Sequence, residues 1–378
     1  MANNSLKDTY ALNGDPLTKE NLLNETIVLS NEKKTPPRNQ KHFYIESYGC
    51  QMNFSDSEIV ASILNKDGYK LTDSPKNATL VLVNTCSIRE KAEQTVRKRL
   101  KLFNRLKHKN KDLKIGVLGC MAERLKHKLL EEEKMVDLVV GPDAYKDIPN
   151  LLKEAEAERE AVNVILSKEE TYGDIAPVRL ASNGVSAFVT ITRGCDNMCT
   201  FCVVPFTRGR ERSRDPKSIL KEVNELYQKG YKEITLLGQN VDSYLWYGGG
   251  LKKDFSKASS LQQKTAVNFS KLLELVGTAQ PKMRIRFSTS NPQDMSLDVI
   301  HTMAKHDNIC NYIHLPVQSG SNDILEKMNR QHSREDYFKL IDNIKKHIPN
   351  CGISHDMICG FPSETEQDHQ DTLSLMEY

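Results

Sequence analysis

Residues 187–202 read AFVTITRGCDNMCTFC, an apolar strand sequence followed directly by three cysteines in the spacing CxxxCxxC. The cysteines are Cys195, Cys199 and Cys202. A structural zinc site closes on four ligands, whereas three thiolates can hold three irons of a 4Fe–4S cluster and leave the fourth iron open to a substrate or cofactor. The stretch therefore predicts an iron–sulfur cluster at the end of a strand. Buried core cysteines, or a zinc knuckle with a distant fourth ligand, are the alternatives.

That strand opens a series of five strand-and-helix units in the second half of the chain. Short apolar runs alternate there with amphipathic stretches, the pattern of parallel strands joined by helices. The runs, taken in order, are 187–191, 234–237, 285–287, 312–315 and 353–358. They predict an open or closed barrel, and residues 247–263 are predicted to be a surface insertion.

The first half of the chain shows the same alternation and predicts a separate α/β domain. Its apolar runs are 43–45, 80–83, 115–118 and 136–140. We assign residues 41–166 to this domain, 167–184 to a linker and 185–378 to the barrel domain. Residues 1–40 have neither helical nor strand periodicity and are predicted to be a flexible leader.

Cys50, Cys86 and Cys120 form a second group, because each directly follows one of the predicted strands of the first domain. The carboxyl ends of parallel strands lie on one edge of the sheet, where α/β proteins bind ligands. Three thiols at that edge predict a second cluster site with an open iron. Gly49 and Gly119 precede two of them and allow close approach of the backbone. A chance arrangement of core cysteines is the alternative.

The composition fits a protein of two or three domains, with 378 residues, nine cysteines and a net charge of +3. The sequence has no run of roughly 20 apolar residues for a membrane span and no secretory signal. We therefore expect a cytoplasmic protein without a membrane partner, whose cysteines do not form disulfides. Cys310, Cys351 and Cys359 lack the pattern of the two groups and are left out of the site, and Cys310 and Cys359, within or beside apolar strand sequence, are interpreted as small buried apolar residues.

The small net charge gives no global argument for a polyanionic partner, so a nucleic-acid site must be local. Four arginines follow the last cysteine of the opening stretch: Arg208, Arg210, Arg212 and Arg214. We predict that they contact RNA phosphates. The basic helix predicted around 97–111 is a second candidate, and a solvated surface is the alternative for both.

Longer motifs surround both cysteine groups. They are YGCQMN at 48–53, NTCSIRE at 84–90, GCMAER at 119–124, LGQNV at 237–241, HLPVQSGS at 314–321, GFPSET at 360–365, and the run 193–214. In these motifs the chain, from about residue 42 to its end, resembles the radical S-adenosylmethionine methylthiotransferases, and within them the MiaB-type tRNA-2-methylthio-N6-dimethylallyladenosine synthases.

The resemblance implies a fold with a flavodoxin-like parallel α/β domain followed by a radical S-adenosylmethionine core, a partial (β/α)6 barrel of the TIM type. Family members continue past a motif like that at 371–373 into a last barrel strand and a small RNA-binding TRAM domain. The chain stops at residue 378, so we interpret it as C-terminally truncated, with an incomplete core and without the TRAM domain.

The resemblance also implies the chemistry. Two 4Fe–4S clusters and S-adenosylmethionine are the expected cofactors, the cluster on Cys195, Cys199 and Cys202 making the radical and the auxiliary cluster holding the sulfur. The substrate is then carbon 2 of N6-dimethylallyladenosine 37 in the tRNA anticodon loop. Further partners are a reducing protein as electron donor and a sulfur donor or iron–sulfur carrier. Another tRNA adenosine, a ribosomal protein, or a non-catalytic iron–sulfur or zinc module that binds RNA are the alternatives.

The family's S-adenosylmethionine shell carries over by position to a group of residues at predicted strand ends. They are Phe201, Gln239, Asn240, Ser288, Ser290, Gln318 and Ser319. The stretch 288–292 has an equal alternative as the cap of a helix start. No side chain is assigned as acid or base, because the chemistry is expected from the two clusters.

Overall fold

The computed structural model describes residues 40–87, 90–180 and 183–378. Several predictions of the sequence therefore lie outside the described residues. These are the leader apart from residue 40, positions 88 and 89 of the second cysteine motif, and positions 181 and 182 of the linker.

Six parallel strands form the sheet of the first domain: β1 (His42–Tyr48), β2 (Lys70–Leu71), β3 (Leu80–Thr85), β4 (Lys114–Leu118), β5 (Leu138–Val140) and β6 (Ala161–Asn163). Its helices are α1 (Gln51–Lys66), α2 (Glu90–Lys109), α3 (Cys120–Leu125), α4 (His127–Glu132) and α5 (Ile148–Glu156). The strand order is β2-β1-β3-β4-β5-β6. It is the flavodoxin-like order extended by β6, and its ligand crevice lies between the ends of β1 and β3, where the order reverses. The predicted fold is confirmed.

The central strand β3 explains why this sheet forms. Its sequence LVLVNT is buried along its whole length, as expected for a parallel strand covered by helices on both faces. On one face Leu82 belongs to a core with Leu64 of α1, and on the other Val83 belongs to a core with Leu100 and Phe103 of α2. The predicted basic helix is confirmed, and Leu100 and Phe103 lie on its buried apolar stripe.

Within the described residues, the second domain is built from nine strands, five of them in a parallel series, and their helices. Its strands are β7 (Ser186–Thr190), β8 (Thr192–Arg193), β9 (Arg212–Ser213), β10 (Glu233–Leu237), β11 (Leu245–Trp246), β12 (Val267–Asn268), β13 (Arg284–Ser288), β14 (Tyr312–His314) and β15 (Gly352–Ser354). Its helices are α6 (Val204–Thr207), α7 (Pro216–Gln228), α8 (Ser260–Thr265), α9 (Phe269–Ala279), α10 (Leu297–Lys305), α11 (Asn322–Lys327), α12 (Arg334–His347) and α13 (Glu366–Met376). The short pairs β8–β9 and β11–β12 are antiparallel additions.

The five parallel strands β7, β10, β13, β14 and β15 follow one another in chain order and form an open arc. β7, β10 and β13 pair in parallel, as do β14 and β15. A parallel bridge from Ile285 to Ile309 joins the two groups. The prediction of five strand-and-helix units in a partial barrel is confirmed. The predicted insertion lies between β11 and β12, where Ser259 and Gln262 close a capping box at the start of α8.

The segment predicted as a linker packs on the first domain. Tyr172, Ile175 and Leu180 are buried in its core, and the Tyr172 hydroxyl donates to the Pro142 carbonyl at 3.0 Å. Burial of these side chains holds the segment in place. No helix in the described residues is long and apolar enough to cross a membrane.

Candidate active site

Cys50, Cys86 and Cys120 lie together at the carboxyl edge of the first sheet, as predicted. Cys50 precedes α1, Cys86 follows β3 and Cys120 is the first residue of α3. Gly49 adopts a φ of +105°, and a Cβ atom there would lie 2.4 Å from the Cβ of Cys86. Only glycine permits this approach of the β1 and β3 ends. Cys86 and Cys120 are buried, whereas Cys50 is exposed.

These three thiols shift each other's protonation. Hydrogen bonding with Cys86 lowers the pKa of Cys50 to about 6 and that of Cys120 to about 6. Burial opposes both shifts, and the charge of Arg208 adds to them. Hydrogen bonds with Cys120 and Cys50 raise the pKa of Cys86. The pKa of two of the three thiols is thus shifted toward the thiolate, the form that binds metals.

Cys195, Cys199 and Cys202 lie in the loop between β8 and α6. The Cys195 amide donates to the Gly209 carbonyl at 3.2 Å, and the Cys202 amide donates to the Cys199 carbonyl at 3.0 Å. Burial raises the pKa of Cys195 to about 12 and also raises that of Cys202. The loop is therefore a folded turn that presents three thiols beyond the first barrel strand, as predicted.

Residues 328–330, which are distant in the sequence, contact this loop and hold it in place. The Asn329 amide donates to the Met198 carbonyl at 2.8 Å, and the Thr200 amide donates to the Met328 carbonyl at 3.1 Å. Arg330 Nη1 lies 3.5 Å from Cys199 Sγ. A cavity of about 160 Å³ lies beside Cys199, lined by residues 196–199, Asn291, Gln293 and residues 329–331. Sequence reasoning missed this segment, because no local motif marks a contact across 131 residues.

The number of cysteine ligands in each group can be compared with what a structural zinc site requires. Among the residues that the structure describes, no group of three or more His, Cys, Asp or Glu side chains has the arrangement of a site for a metal ion. A structural zinc site needs four closed ligands. Each cysteine group supplies three thiols, which is the number of protein ligands that a cluster with one open iron takes.

Four of the predicted S-adenosylmethionine residues, Gln239, Asn240, Ser288 and Ser290, lie at the carboxyl ends of β10 and β13. Asn240 donates to Asp294 Oδ2 at 2.6 Å, while its own Oδ1 and the Oε1 of Gln239 are buried without a partner. Ser290 donates to Asp242 Oδ1 at 3.1 Å, and Ser288 ends β13 half-buried. The alternative for 288–292 is wrong, because the next helix, α10, has Ser296 as its cap residue.

The other predicted residues of this shell have different surroundings. Gln318 has a φ of +78°, and its amide donates to the Asp356 carbonyl at 3.0 Å. Ser319 is fully buried, with its hydroxyl 3.3 Å from Thr372 Oγ1 of α13. Phe201 is exposed. Assignment of these residues to S-adenosylmethionine stays a prediction.

The structure contradicts the predicted RNA role of three arginines. Arg208, Arg212 and Arg214 are 2%, 1% and 6% exposed. Each pairs with a buried acid: Arg208 with Asp56 at 2.8 Å, Arg212 with Asp143 at 2.7 Å, and Arg214 with Glu222. The segment lies between the domains, and these acids take the guanidinium groups that the sequence suggested for phosphates. Arg210 alone of the four is exposed, 3.5 Å from Asp196.

Arg193 completes this contact between the domains, together with Asp56 and Asp143. Asp56 of α1, which is fully buried, accepts from Arg193 Nη1 and Arg208 Nη2, each at 2.8 Å. Asp143 lies 3.8 Å from Arg193 Nε. Sequence reasoning missed Asp56, Asp143 and Arg193, because nothing local marks a partner 137 residues away.

The contact also brings the two cysteine groups to one place. Helix α6, which joins Cys202 to Arg208, packs against α3, which begins at Cys120. Six residues span at most about 20 Å even when fully extended. The two groups therefore face a common region at the domain boundary. By contrast, Cys310 and Cys351 are half-buried and Cys359 is exposed, so the interpretation of Cys359 as a buried apolar residue is wrong.

Comparisons with known proteins agree with this geometry. A model of the uncharacterized protein family UPF0004 matches residues 42–141, and that of the radical SAM superfamily matches residues 189–376. A tRNA-2-methylthio-N(6)-dimethylallyladenosine synthase of Christiangramia forsetii is 76% identical over 341 residues, 90% of this chain and 71% of that protein. The synthase of Flavobacterium johnsoniae is 68% identical over 364 residues, 96% of this chain and 75% of that protein.

Solved structures are similar in fold alone. The cobalamin-dependent S-adenosylmethionine radical enzyme OxsB with aqua-cobalamin has a TM-score of 0.63 at 13% identity, covering 90% of this chain and 52% of that one. The radical S-adenosylmethionine methyltransferase TsrM of Kitasatospora setae has a TM-score of 0.59 at 13% identity, covering 90% and 71%.

Proposed function

Since the chain belongs to the tRNA-2-methylthio-N(6)-dimethylallyladenosine synthases, we propose that it adds a methylthio group to carbon 2 of N6-dimethylallyladenosine 37 in the tRNA anticodon loop. The observation that carries this is the 76% identity to the Christiangramia forsetii synthase over 90% of the chain. The chain is accordingly a radical S-adenosylmethionine enzyme that transfers sulfur, with a 4Fe–4S cluster and S-adenosylmethionine as cofactors and tRNA as substrate.

The radical site is proposed at Cys195, Cys199 and Cys202. These three cysteines would hold a 4Fe–4S cluster, which together with S-adenosylmethionine would supply the radical chemistry that activates the C–H bond at carbon 2 of adenine. The protein holds and orients these groups. Arg330, whose Nε is buried without a partner, lies beside Cys199 and the cavity. A guanidinium in that place can bind the carboxylate of S-adenosylmethionine.

A second cluster is proposed at Cys50, Cys86 and Cys120, where the sulfur to be inserted is held. Three features support this site: the convergence of the thiols, the lowered pKa of two of them, and the carboxyl-edge position in a flavodoxin-like sheet. Cys50 is exposed while the other two are buried, so the group has one open side.

The tRNA contact is proposed on the surface beside the radical loop. Met198 and Phe201 are each 41% exposed, and Phe206 on α6 is 66% exposed. RNA loops are recognised by stacking of splayed bases on such side chains, with basic residues on the phosphates. Arg210 is the exposed arginine of this segment. The exposed part of helix α2, including Lys98 and Lys101, is a second basic surface.

Two further partners follow from the proposed chemistry. Reductive cleavage of S-adenosylmethionine consumes an electron, so a reducing protein must supply one. Each turnover removes a sulfur from the protein, so a sulfur donor or iron–sulfur carrier must restore it. A tRNA substrate and nine free cysteines suit a reducing, cytoplasmic compartment.

The test is a count of iron and sulfide, with Mössbauer or EPR spectra, on anaerobically reconstituted protein. About eight irons are expected in the parent and about four in each of two variants, one with Cys195, Cys199 and Cys202 and one with Cys50, Cys86 and Cys120 changed to alanine. Changing Cys310 and Cys351 to alanine is the matched control and should leave the count unchanged, because these residues lie outside both groups.

Product analysis completes the test with tRNA that carries N6-dimethylallyladenosine. The expected product is its 2-methylthio derivative, absent in both cysteine-group variants. A parent protein with only about four irons, and no change in that count when Cys50, Cys86 and Cys120 are replaced, would remove the second cluster. Methylthiolation of another adenosine, or of a ribosomal protein, would change the proposed substrate.

A further inference from the structure

Arg208 has an incomplete set of contacts for a buried arginine. It is 2% exposed, and its Nη2 donates to Asn53 Oδ1 and Asp56 Oδ2, each at 2.8 Å. Its Nη1 is also buried and has no hydrogen-bond partner. A buried N–H of a charged group is costly when it lacks an acceptor. The unpaired nitrogen therefore needs an explanation.

The surroundings of Arg208 indicate what that acceptor is. Asn53, which accepts from Nη2, also accepts from Cys50 Sγ at 3.7 Å. Thr207, the neighbour of Arg208 in the chain, hydrogen-bonds with Cys120, and the Arg208 side chain itself is in contact with Cys120. The guanidinium thus lies against the first-domain thiols, although it belongs to the second domain.

We propose that Arg208 is a positioning residue of the auxiliary site, whose Nη1 donates a hydrogen bond to a sulfur of the group held by Cys50, Cys86 and Cys120. This inference rests on the proposed function, because it requires a cluster at those cysteines. Hydrogen bonds and positive charge at cluster sulfur stabilise the reduced, more negative state and raise the reduction potential. The second domain in this way sets the potential of a site in the first.

A purely structural role is the competing explanation, because the ion pair with Asp56 joins the domains. Arg212 provides the matched control. It is 1% exposed and pairs with Asp143 of the first domain at 2.7 Å. Its Nε donates to the Glu170 carbonyl and its Nη1 to the Arg210 carbonyl, so its three nitrogens all have oxygen partners.

The experiment uses the full chain with Cys195, Cys199 and Cys202 changed to alanine, so that only the auxiliary cluster is loaded. Its reduction potential is measured by EPR-monitored redox titration in the parent background and with R208Q, R208K and R212Q. For R208Q we expect the equilibrium constant for reduction to fall tenfold, a midpoint about 59 mV more negative for one electron. R208K keeps the positive charge but not the guanidinium group, so its reduction potential should shift by less. The reduction potential of R212Q should not shift.

Two results would overturn the role of Arg208. One is R208Q with about four irons and the parent potential; the other is an equal shift in R212Q, which would show an effect of domain packing. Should R208Q fail to load iron, R208K decides, and an unchanged potential there refutes the proposal. Failure of the proposed function looks different, because the parent background itself would then hold no cluster, and the role would fall with it.

Discussion

Removing the charge of Asp56 should destabilise the contact between the domains more than any surface change. Asp56 is fully buried and accepts from Arg193 Nη1 and Arg208 Nη2, each at 2.8 Å, and from the Tyr145 hydroxyl at 3.2 Å. D56N keeps the size of the side chain but leaves two buried guanidinium groups without their shared anion. Breaking a buried ion pair by removing one partner costs about 3–5 kcal/mol, and we expect D56N to lose that much free energy of unfolding.

The assay is urea denaturation followed by circular dichroism, with E156Q as the control. Glu156 pairs with Lys41 at 2.8 Å, but both side chains are about half exposed, so E156Q should cost about 0–1 kcal/mol. The double variant D56N/R193Q should cost less than the sum of its single changes, because it removes one of the uncompensated charges. A D56N cost equal to that of E156Q would refute the reasoning.

The same carboxylate gives a pH dependence of known sign. Burial alone would raise the pKa of Asp56, but the charges of Arg193 and Arg208 outweigh it and hold the pKa below its ordinary value of 3.8. The unfolded chain therefore binds this proton more readily. The stabilisation is complete above the unfolded pKa and is lost as the pH falls through the folded pKa. The gap in stability between the parent and D56N should accordingly narrow in acid below about pH 4.

Three further changes test the site. G49A places a Cβ 2.4 Å from the Cβ of Cys86 and should lower the iron content by about four irons. The control G68A, also at positive φ but with nothing within 4 Å of the added Cβ, should keep those irons. Equal iron counts in the two variants would contradict the packing argument. F206A should weaken tRNA binding by about 1–3 kcal/mol if a base stacks there, and L261A, equally exposed in the insertion, should not; filter binding distinguishes them. R210Q should lower the salt dependence of tRNA binding by about one unit of slope, and an unchanged slope would remove it from the interface.

The position of the cysteine groups was predictable because the information is local. Cys50, Cys86 and Cys120 each come directly after a strand, and one topological rule places all such positions on one edge. The same holds for the turn that carries Cys195. A strand ending and a cysteine are both visible in the sequence, and no distant contact is needed to bring them together.

The arginine segment was misinterpreted for the opposite reason. A run of basic residues indicates charge but not its partner, and the partners Asp56 and Asp143 lie 152 and 69 residues away in the chain from Arg208 and Arg212. Both acids belong to helices or loops of the other domain. Whether a guanidinium faces a phosphate or a buried carboxylate is decided by the docking of the domains, which no local pattern records.

That docking places a side chain of the second domain, Arg208, beside the three cysteines of the first. The thiols of Cys50 and Cys120 have a pKa of about 6 in part because Arg208 reaches them from the second domain. An isolated first domain would keep the three cysteines but lose this charge, which favours the thiolate form. Cys50 is the exposed member of the group, whereas Arg208 is buried. At the proposed auxiliary cluster, exchange of sulfur is therefore expected on the Cys50 side, while Arg208 of the second domain supplies positive charge from the buried side.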